Sequence, residues 1–161
     1  MIIIGYQGIG KSTLAGKNNC IDLESGNFWI PNKETGCADR ADNWYIPYCQ
    51  IANHLSEQGY TVFVSSHEVV RKELEKSKEK VFVVCPSVKL KEQWIAKLRN
   101  RYESTGLDKD FKALANAEDR YVDNINELVF GNFVAYEIED INYDLKDIVD
   151  FLNFLGGHSN D

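Results

Sequence analysis

Two patterns of hydrophobic residues alternate along the chain. Short apolar runs, which are typical of buried strands in a parallel sheet, occur at residues 1–4, 20–23, 61–66, 80–85 and 133–138. Apolar residues recur at helical spacing at 48–55, 69–74, 90–98, 111–129 and 145–152. This alternation predicts an α/β fold with a five-stranded parallel sheet and helices on both faces.

Two stretches fit neither pattern. Residues 24–43 are rich in Gly, Asn and Asp, which predicts a partly irregular excursion. The helix after this excursion should hold Pro47 in its first turns and end at Gly59. Residues 156–161 are predicted to form a frayed tail.

Size and charge narrow the possible classes of protein. A chain of 161 residues with 43% hydrophobic residues predicts a single domain, 1–161, with a full core. No apolar run approaches the ~20 residues of a membrane span, and the first run is already a strand, so neither membrane nor signal peptide is expected. A formal net charge of −7 makes nucleic acid an unlikely partner. We expect a cytoplasmic protein and leave its oligomeric state open.

The four cysteines suggest a reduced protein without a structural metal. Cys20, Cys37, Cys49 and Cys85 form no C-x-x-C pair, and the histidines lack zinc-ligand spacing. Cys20 and Cys85 lie in strand-like runs and are predicted to be core residues. Cys37, in a polar loop, is the thiol expected to react.

A glycine-rich stretch, GYQGIGKS, follows the first apolar run at residues 5–12. It matches the phosphate-loop pattern of two spaced glycines followed by a lysine and a serine. Glycines permit backbone turns in which successive N–H groups point inward and bind phosphate. The lysine reaches the β- and γ-phosphates, and the serine hydroxyl binds Mg²⁺. The residues predicted to bind the nucleotide are Gly5, Gly8, Ile9, Gly10, Lys11, Ser12 and Thr13.

The surroundings of this loop support phosphate binding. A strand-like run precedes it, and residues 12–15 can continue as a helix whose dipole favours an anion. A chance match is the alternative, and in a chain of this length it would occur on the order of one time in a hundred or less. We predict nucleotide binding, with ATP and Mg²⁺ as the cofactors and Lys11 as a catalytic residue.

Five short strands, a phosphate loop after the first strand and 161 residues resemble the nucleoside-monophosphate-kinase-like group, which includes adenylate, shikimate and gluconate kinases. The resemblance covers the whole chain in layout, and only the loop is specific in sequence. The stretches GYTVFVSSH and VCPSVKLKEQWIAKLRNR also resemble small ATP-binding proteins of bacteria and phages whose substrate is undefined. The resemblance implies a three-layer P-loop NTPase fold and a small-molecule or nucleotide phosphoryl acceptor.

In that group the second strand ends in an acidic residue near Mg²⁺ or the acceptor. Here Asp22 and Glu24 follow, and strand alternation puts them on the same side of the chain. Carboxylates at this end of a parallel strand face the ligand crevice. We assign Asp22 to catalysis and, with Ser12, to the metal, and Glu24 to the acceptor. The alternative is two solvated acids at a strand end.

The group also has a lid that carries arginines and closes over the transferring phosphate. Arg99 and Arg101 lie at the corresponding place, in a polar segment at about residues 99–108. Guanidinium donors suit the charge on a transferring phosphoryl group, so both are predicted catalytic residues. An ordinary basic helix end is the alternative.

The excursion, at about residues 24–48, corresponds to the acceptor-binding region of the group. Its aromatic residues are Phe28, Trp29, Trp44, Tyr45 and Tyr48. Trp44 and Tyr48 fit a core-facing role better than a binding role. Arg40 is the candidate for binding an acceptor phosphate or carboxylate, and its alternative is a surface ion pair with Asp39 or Asp42. By the same layout, the loop at residues 139–143 should lie near the adenine.

Several features depart from known members of the group. Ser65 and Ser66 stand where shikimate kinases carry paired glycines and where many P-loop NTPases carry an aspartate. Ser65 is a candidate contact for the acceptor. The acceptor arginine motif of adenylate kinases is missing as well, so neither the adenylate-kinase nor the shikimate-kinase substrate transfers to this chain. No N-K-x-D guanine motif occurs, which argues against GTP. A kinase is the first interpretation. A nucleotide-binding module or slow NTPase switch, with Trp29, Trp44 and Trp94 at a protein interface, is the alternative.

Overall fold

The computed structural model describes residues 1–25, 29–31 and 38–157. The strands are β1 (Ile2–Gly5), β2 (Cys20–Asp22), β3 (Trp29–Pro31), β4 (Ala38–Arg40), β5 (Thr61–Val64), β6 (Val81–Pro86) and β7 (Val134–Ile138). The helices are α1 (Lys11–Leu14), α2 (Tyr45–Glu57), α3 (Glu68–Leu74), α4 (Lys91–Thr105), α5 (Asp108–Val129) and α6 (Leu145–Leu155). None of the helices within these ranges is long and apolar enough to cross a membrane.

Five strands form one parallel sheet in the order β2-β5-β1-β6-β7, which confirms the predicted α/β fold and sheet. β1 is the central strand and is buried throughout: three of its residues pair with β5 on one side, and all four pair with β6 on the other. β5 ends at Val64, so Ser65 and Ser66 lie beyond the strand that the sequence predicted to contain them.

Helices cover both faces of this sheet. Crossover connections between parallel strands are right-handed. The connection through α1 runs from β1 towards β2, whereas those through α2, α3 and α5 run towards β7. Helix α1 therefore lies on the opposite face of the sheet from these three helices. Contacts join α1 to α6, α2 to α3, and α4 to α5. Cys20 and Cys85 are buried between these layers as predicted, whereas Cys37 lies outside the described residues.

Two segments next to the phosphate loop differ from their expected form. Helix α1 has four residues, because Gly16 (φ +78°) and the left-handed Asn18 and Asn19 turn the chain directly into β2. The predicted lid, residues 99–108, comprises the end of α4, a turn at Gly106 (φ +63°) and the start of α5. In the excursion, β3 and β4 pair antiparallel.

Candidate functional site

A cavity of about 210 Å³ opens at the carboxyl ends of β1, β2 and β5. Ligands of open parallel sheets bind at this edge. The cavity is lined by the phosphate loop, the segment after β2, and residues of α4 and α5. These residues are Gln7, Gly8, Gly10, Lys11, Ser12, Asp22, Leu23, Glu24, Ser25, Ser65, Leu98, Arg101, Lys109, Asp110 and Ala113.

The phosphate loop adopts a conformation that requires glycine at two positions. Gly8 has φ +87° and Gly10 has φ +101°, both in the left-handed region. A Cβ atom on Gly8 would also lie 2.9 Å from Leu98 Cδ2 and 3.2 Å from Trp94 Nε1. Helix α4 therefore packs so closely on the loop that only a residue without a side chain fits there.

Lys11 and Asp22 carry opposite charges, and both are partly shielded from water in the cavity. Burial lowers the pKa of the Lys11 ammonium, although the Asp22 and Glu24 carboxylates act in the opposite direction. Burial raises the pKa of the Asp22 carboxyl group, and Lys11 opposes that shift. Lys11 Nζ also donates to Gly5 O at 3.4 Å. Both groups are costly to keep charged in this cavity, as is common at functional sites.

Arg101 is fixed at the cavity by a carboxylate that sequence reasoning missed. Arg101 Nε lies 3.1 Å from Asp110 Oδ1, and the Asp110 side chain is only 6% exposed. Thr105 Oγ1 donates to the other oxygen of Asp110. An aspartate in the first turn of a helix usually signals only a favourable helix dipole, so nothing in the local pattern assigns Asp110 to the site. Lys109, beside it, was missed for the same lack of signal.

Arg99 lies away from this cavity. Its Nη2 atom pairs with Glu118 Oε1 of α5 at 2.9 Å, and both side chains are about half exposed. Arg99 and Arg101 are two positions apart on one helix, so they point in different directions and cannot face one ligand together.

Some of the other predicted residues line this cavity and some do not. Ser12, Glu24 and Ser65 line the cavity, and their roles in binding stay predictions. Ile9 is buried in the core, and Thr13 is exposed outside the lining. The Arg40 side chain, which was predicted to bind the acceptor, is not among the described parts of the chain.

Tyr48 connects two of the strand ends that carry the site. It is fully buried, as expected of a core-facing residue. Its hydroxyl donates to Leu23 O at 2.7 Å and accepts from the Ser65 N–H at 2.9 Å. One side chain of α2 therefore sets the distance between the segment that carries Asp22 and the end of β5.

A second cavity, of about 290 Å³, lies between α3 and α5. Its lining residues are Tyr6, Gln7, Ser66, His67, Glu68, Arg71, Asn116, Asn124, Glu127 and Leu128. Gln7 lines both cavities, and its Nε2 atom donates to Ala113 O at 3.1 Å and to Asn116 Oδ1 at 3.2 Å. The Gln7 amide therefore forms part of the wall between them. Amide side chains on a helix surface form no distinctive sequence pattern, so the sequence did not predict this cavity.

The second cavity has a nearly balanced charge. Arg71 Nη2 lies 3.4 Å from Glu127 Oε2, and Arg71 Nε donates to Ser66 O at 3.0 Å. Asn124 Nδ2 donates to Asn116 Oδ1 at 2.8 Å. The lining thus combines Arg71 with the carboxylates of Glu68 and Glu127 and with three amide groups. The first cavity holds more charged groups, three cations (Lys11, Arg101, Lys109) and three carboxylates (Asp22, Glu24, Asp110).

Comparison with known proteins adds no relative to this description. No protein-family model matches the chain, and no curated protein matches it. The function proposed for this chain therefore rests on the residues and geometry of its site.

Proposed function

We propose that this chain is a P-loop kinase of the nucleoside-monophosphate-kinase-like type, which transfers the γ-phosphoryl group of Mg-ATP to a small molecule or nucleotide. One observation carries the proposal. The glycine-rich loop, Lys11, Ser12, Asp22 and Arg101 line one cavity at the carboxyl edge of a parallel sheet. These are the groups that phosphoryl transfer needs, because its catalysis depends on positioning and on charge stabilisation.

The loop and its lysine would hold the triphosphate. The N–H groups of Gly8 and Gly10 would cradle phosphate oxygens, and Lys11 would bind the terminal phosphates. The Lys11 and Asp22 pKa shifts support this role, because an anionic ligand would compensate the desolvated ammonium.

Mg²⁺ fits the oxygen-bearing side chains of this cavity. In protein sites it takes one or two protein oxygens together with phosphate oxygens and water, and Ser12 and Asp22 offer such oxygens. Bound Mg²⁺ would neutralise phosphate charge during transfer. Among the described residues, no group of three or more His, Cys, Asp or Glu side chains could hold a metal ion.

Arg101 would stabilise the charge on the transferring phosphoryl group. Its ion pair with the buried Asp110 supports this role, since a guanidinium held in one orientation loses little entropy when it binds. A closing movement by Arg99 stays a prediction, because Arg99 pairs with Glu118. Asp22 would accept the proton of an attacking hydroxyl, and its raised pKa makes it a stronger base than an exposed carboxylate.

We place the uncharged part of the acceptor in the second cavity, with its reactive oxygen directed past Gln7. The three amides suit a hydrogen-bonding group, and Arg71 with Glu68 and Glu127 leaves the lining an excess of only one negative charge. Its volume of about 290 Å³ is close to the lower end of the range for ligand sites. Glu24 and Ser65 would contact the acceptor from the first cavity.

The alternative, a binding module with slow turnover, loses part of its support. Trp44 and Trp94 are buried, at 8% and 0% exposure, so they do not form the exposed interface that this alternative expected of them. The Trp29 side chain lies outside the described residues. Acceptor-dependent turnover is what separates the two functions.

The test is ADP release from Mg-ATP against a panel of nucleosides, nucleoside monophosphates, sugar acids and hydroxy acids. A kinase should show stimulation of about tenfold or more by one acceptor. That stimulation should disappear in Lys11→Ala and persist in Lys17→Ala, which removes an exposed lysine outside the cavity. With that acceptor, Asn124→Leu should raise KM for the acceptor and not for ATP, whereas Asn126→Leu on the exposed side of α5 should change neither.

A flat panel, with Mg-ATP still bound tightly in calorimetry, would support the binding module instead. Failure of the wild-type protein to bind Mg-ATP at all would refute both functions.

A further inference from the structure

Three side chains, two from α4 and one from the segment before α6, cover the outer side of the phosphate loop. Trp94 Nε1 of α4 donates to Gln7 O at 2.9 Å. Tyr143, just before α6, donates from its hydroxyl to Ile9 O at 2.7 Å. Lys97 Nζ donates to the Tyr143 hydroxyl at 2.8 Å. We call Trp94, Lys97 and Tyr143 the clasp.

The members of the clasp fix one another. The rings of Trp94 and Tyr143 are nearly parallel, at 18°, with centroids 5.9 Å apart. Lys97 Nζ lies 4.3 Å from the Trp94 centroid and 4.8 Å from the Tyr143 centroid, within the range of cation–π attraction. An ammonium group has only donors, so the Tyr143 oxygen must accept from Lys97 and direct its own proton to Ile9 O. Burial raises the pKa of Tyr143 to about 12, so this proton is retained at neutral pH.

Fixing the two carbonyl groups also fixes two N–H groups. The Gln7 carbonyl and the Gly8 N–H belong to one planar trans peptide and point in opposite directions, and the same holds for Ile9 and Gly10. The structure has no cis peptide among its described residues. When the clasp holds the carbonyls outward, the N–H groups of Gly8 and Gly10 face the other side, where both residues line the first cavity.

The loop needs such an external support. Glycines at positive φ have the widest choice of backbone conformations, so an unsupported loop would lose much entropy on binding phosphate. Helix α1 has only four residues and cannot hold the loop by a long run of helical hydrogen bonds. The clasp supplies contacts from α4 and from the segment before α6 in its place.

We propose that Trp94, Lys97 and Tyr143 are positioning residues that pre-organise the phosphate loop for the triphosphate. The inference rests on the proposed function, because it assigns to the loop the role of binding nucleotide phosphates. None of the three residues lines the first cavity, so their effect acts through Gln7 and Ile9.

The test compares Tyr143→Phe and Trp94→Phe with Tyr102→Phe, a matched variant on α4 whose ring packs on Phe111 rather than on the loop. Amide hydrogen exchange of residues 8–11 in the nucleotide-free protein is the first readout, and Mg-ATP affinity by calorimetry is the second. Loss of one partly buried hydrogen bond should weaken Mg-ATP binding about fivefold in Tyr143→Phe. Exchange at residues 8–11 should accelerate in Tyr143→Phe and not in Tyr102→Phe, and Tm should fall in Tyr143→Phe because the Ile9 carbonyl loses its partner.

Two results would overturn the inference. The first is amide exchange at residues 8–11 in Tyr143→Phe at the wild-type rate. This result is decisive even if the protein binds no nucleotide. The other is equal loss of Mg-ATP affinity in Tyr143→Phe and Tyr102→Phe, which would indicate a general packing role. If the wild-type protein binds no Mg-ATP, the proposed function fails, and the exchange experiment still reports whether the clasp holds the loop.

Discussion

At the scale of single residues, Gly8 illustrates two separate demands on one position. Its φ of +87° strains any other residue, and helix α4 leaves no room for a Cβ atom. Gly16 shares only the first demand, because its φ is +78° and a Cβ atom there would meet nothing within 4 Å. The pair therefore separates backbone strain from steric overlap.

Gly8→Ala should lower the free energy of unfolding by about 2–4 kcal/mol, from strain plus overpacking against Leu98 and Trp94. Gly16→Ala should cost only about 1–2 kcal/mol, from strain alone. Urea unfolding of both variants measures the difference. Equal costs would show that α4 moves away from the loop without penalty.

Asp22 should give stability an unusual pH dependence. Burial raises its pKa, so the folded state binds this proton more tightly than the unfolded state. The stability that Asp22 contributes is therefore full below its ordinary pKa of 3.8 and is lost as pH rises through the raised folded value. Without nucleotide, the wild-type free energy of unfolding should fall relative to Asp22→Asn as pH rises above about 4.

Denaturant unfolding at a series of pH values checks this prediction. Asp123→Asn, an exposed change on α5, is the control for general charge effects. If the wild-type free energy of unfolding stays constant or rises relative to that of Asp22→Asn as pH increases, the assignment of Asp22 to a desolvated site is wrong.

At the scale of elements, helix α2 joins two strand ends through Tyr48. Tyr48→Phe should lower the free energy of unfolding by about 1–3 kcal/mol, because it leaves partly buried Leu23 and Ser65 backbone groups without this partner. Tyr45→Phe, which removes an exposed contact to Asn43, should change stability by less than about 0.5 kcal/mol. Unfolding curves of the two variants test this, and equal costs would refute the connecting role of Tyr48.

Most elements could be predicted from the sequence because their signals are local. Strand β1 is a continuous apolar run, and α5 and α6 have apolar residues at helical spacing. The shortness of α1 also has a local signal, in Gly16 and the Asn18-Asn19 pair, but such residues equally fit the end of a longer helix. The polarity of residues 99–105 predicts a lid, whereas the structure continues α4 through them as regular helix.

At the scale of the whole molecule, the site depends on contacts that no local pattern contains. The central position of β1 follows from sheet order, which brings the loop beside the end of β5, one strand away from the end of β2, and beneath α4. The loop, Asp22 and Arg101 could be predicted from motif and layout. Asp110, Gln7 and the amides of Asn116 and Asn124 could not, because their roles arise only when α5 packs across the loop.

The clasp also determines when the site can form. Trp94 and Tyr143 contact loop residues that lie 87 and 134 positions earlier in the chain. A ribosome therefore releases the loop first and its supports much later, and contacts of such long sequence separation form late in folding. A nascent chain would carry the complete phosphate motif long before it could hold that motif in shape, so under the proposed function tight nucleotide binding would begin only after Tyr143 has been synthesised.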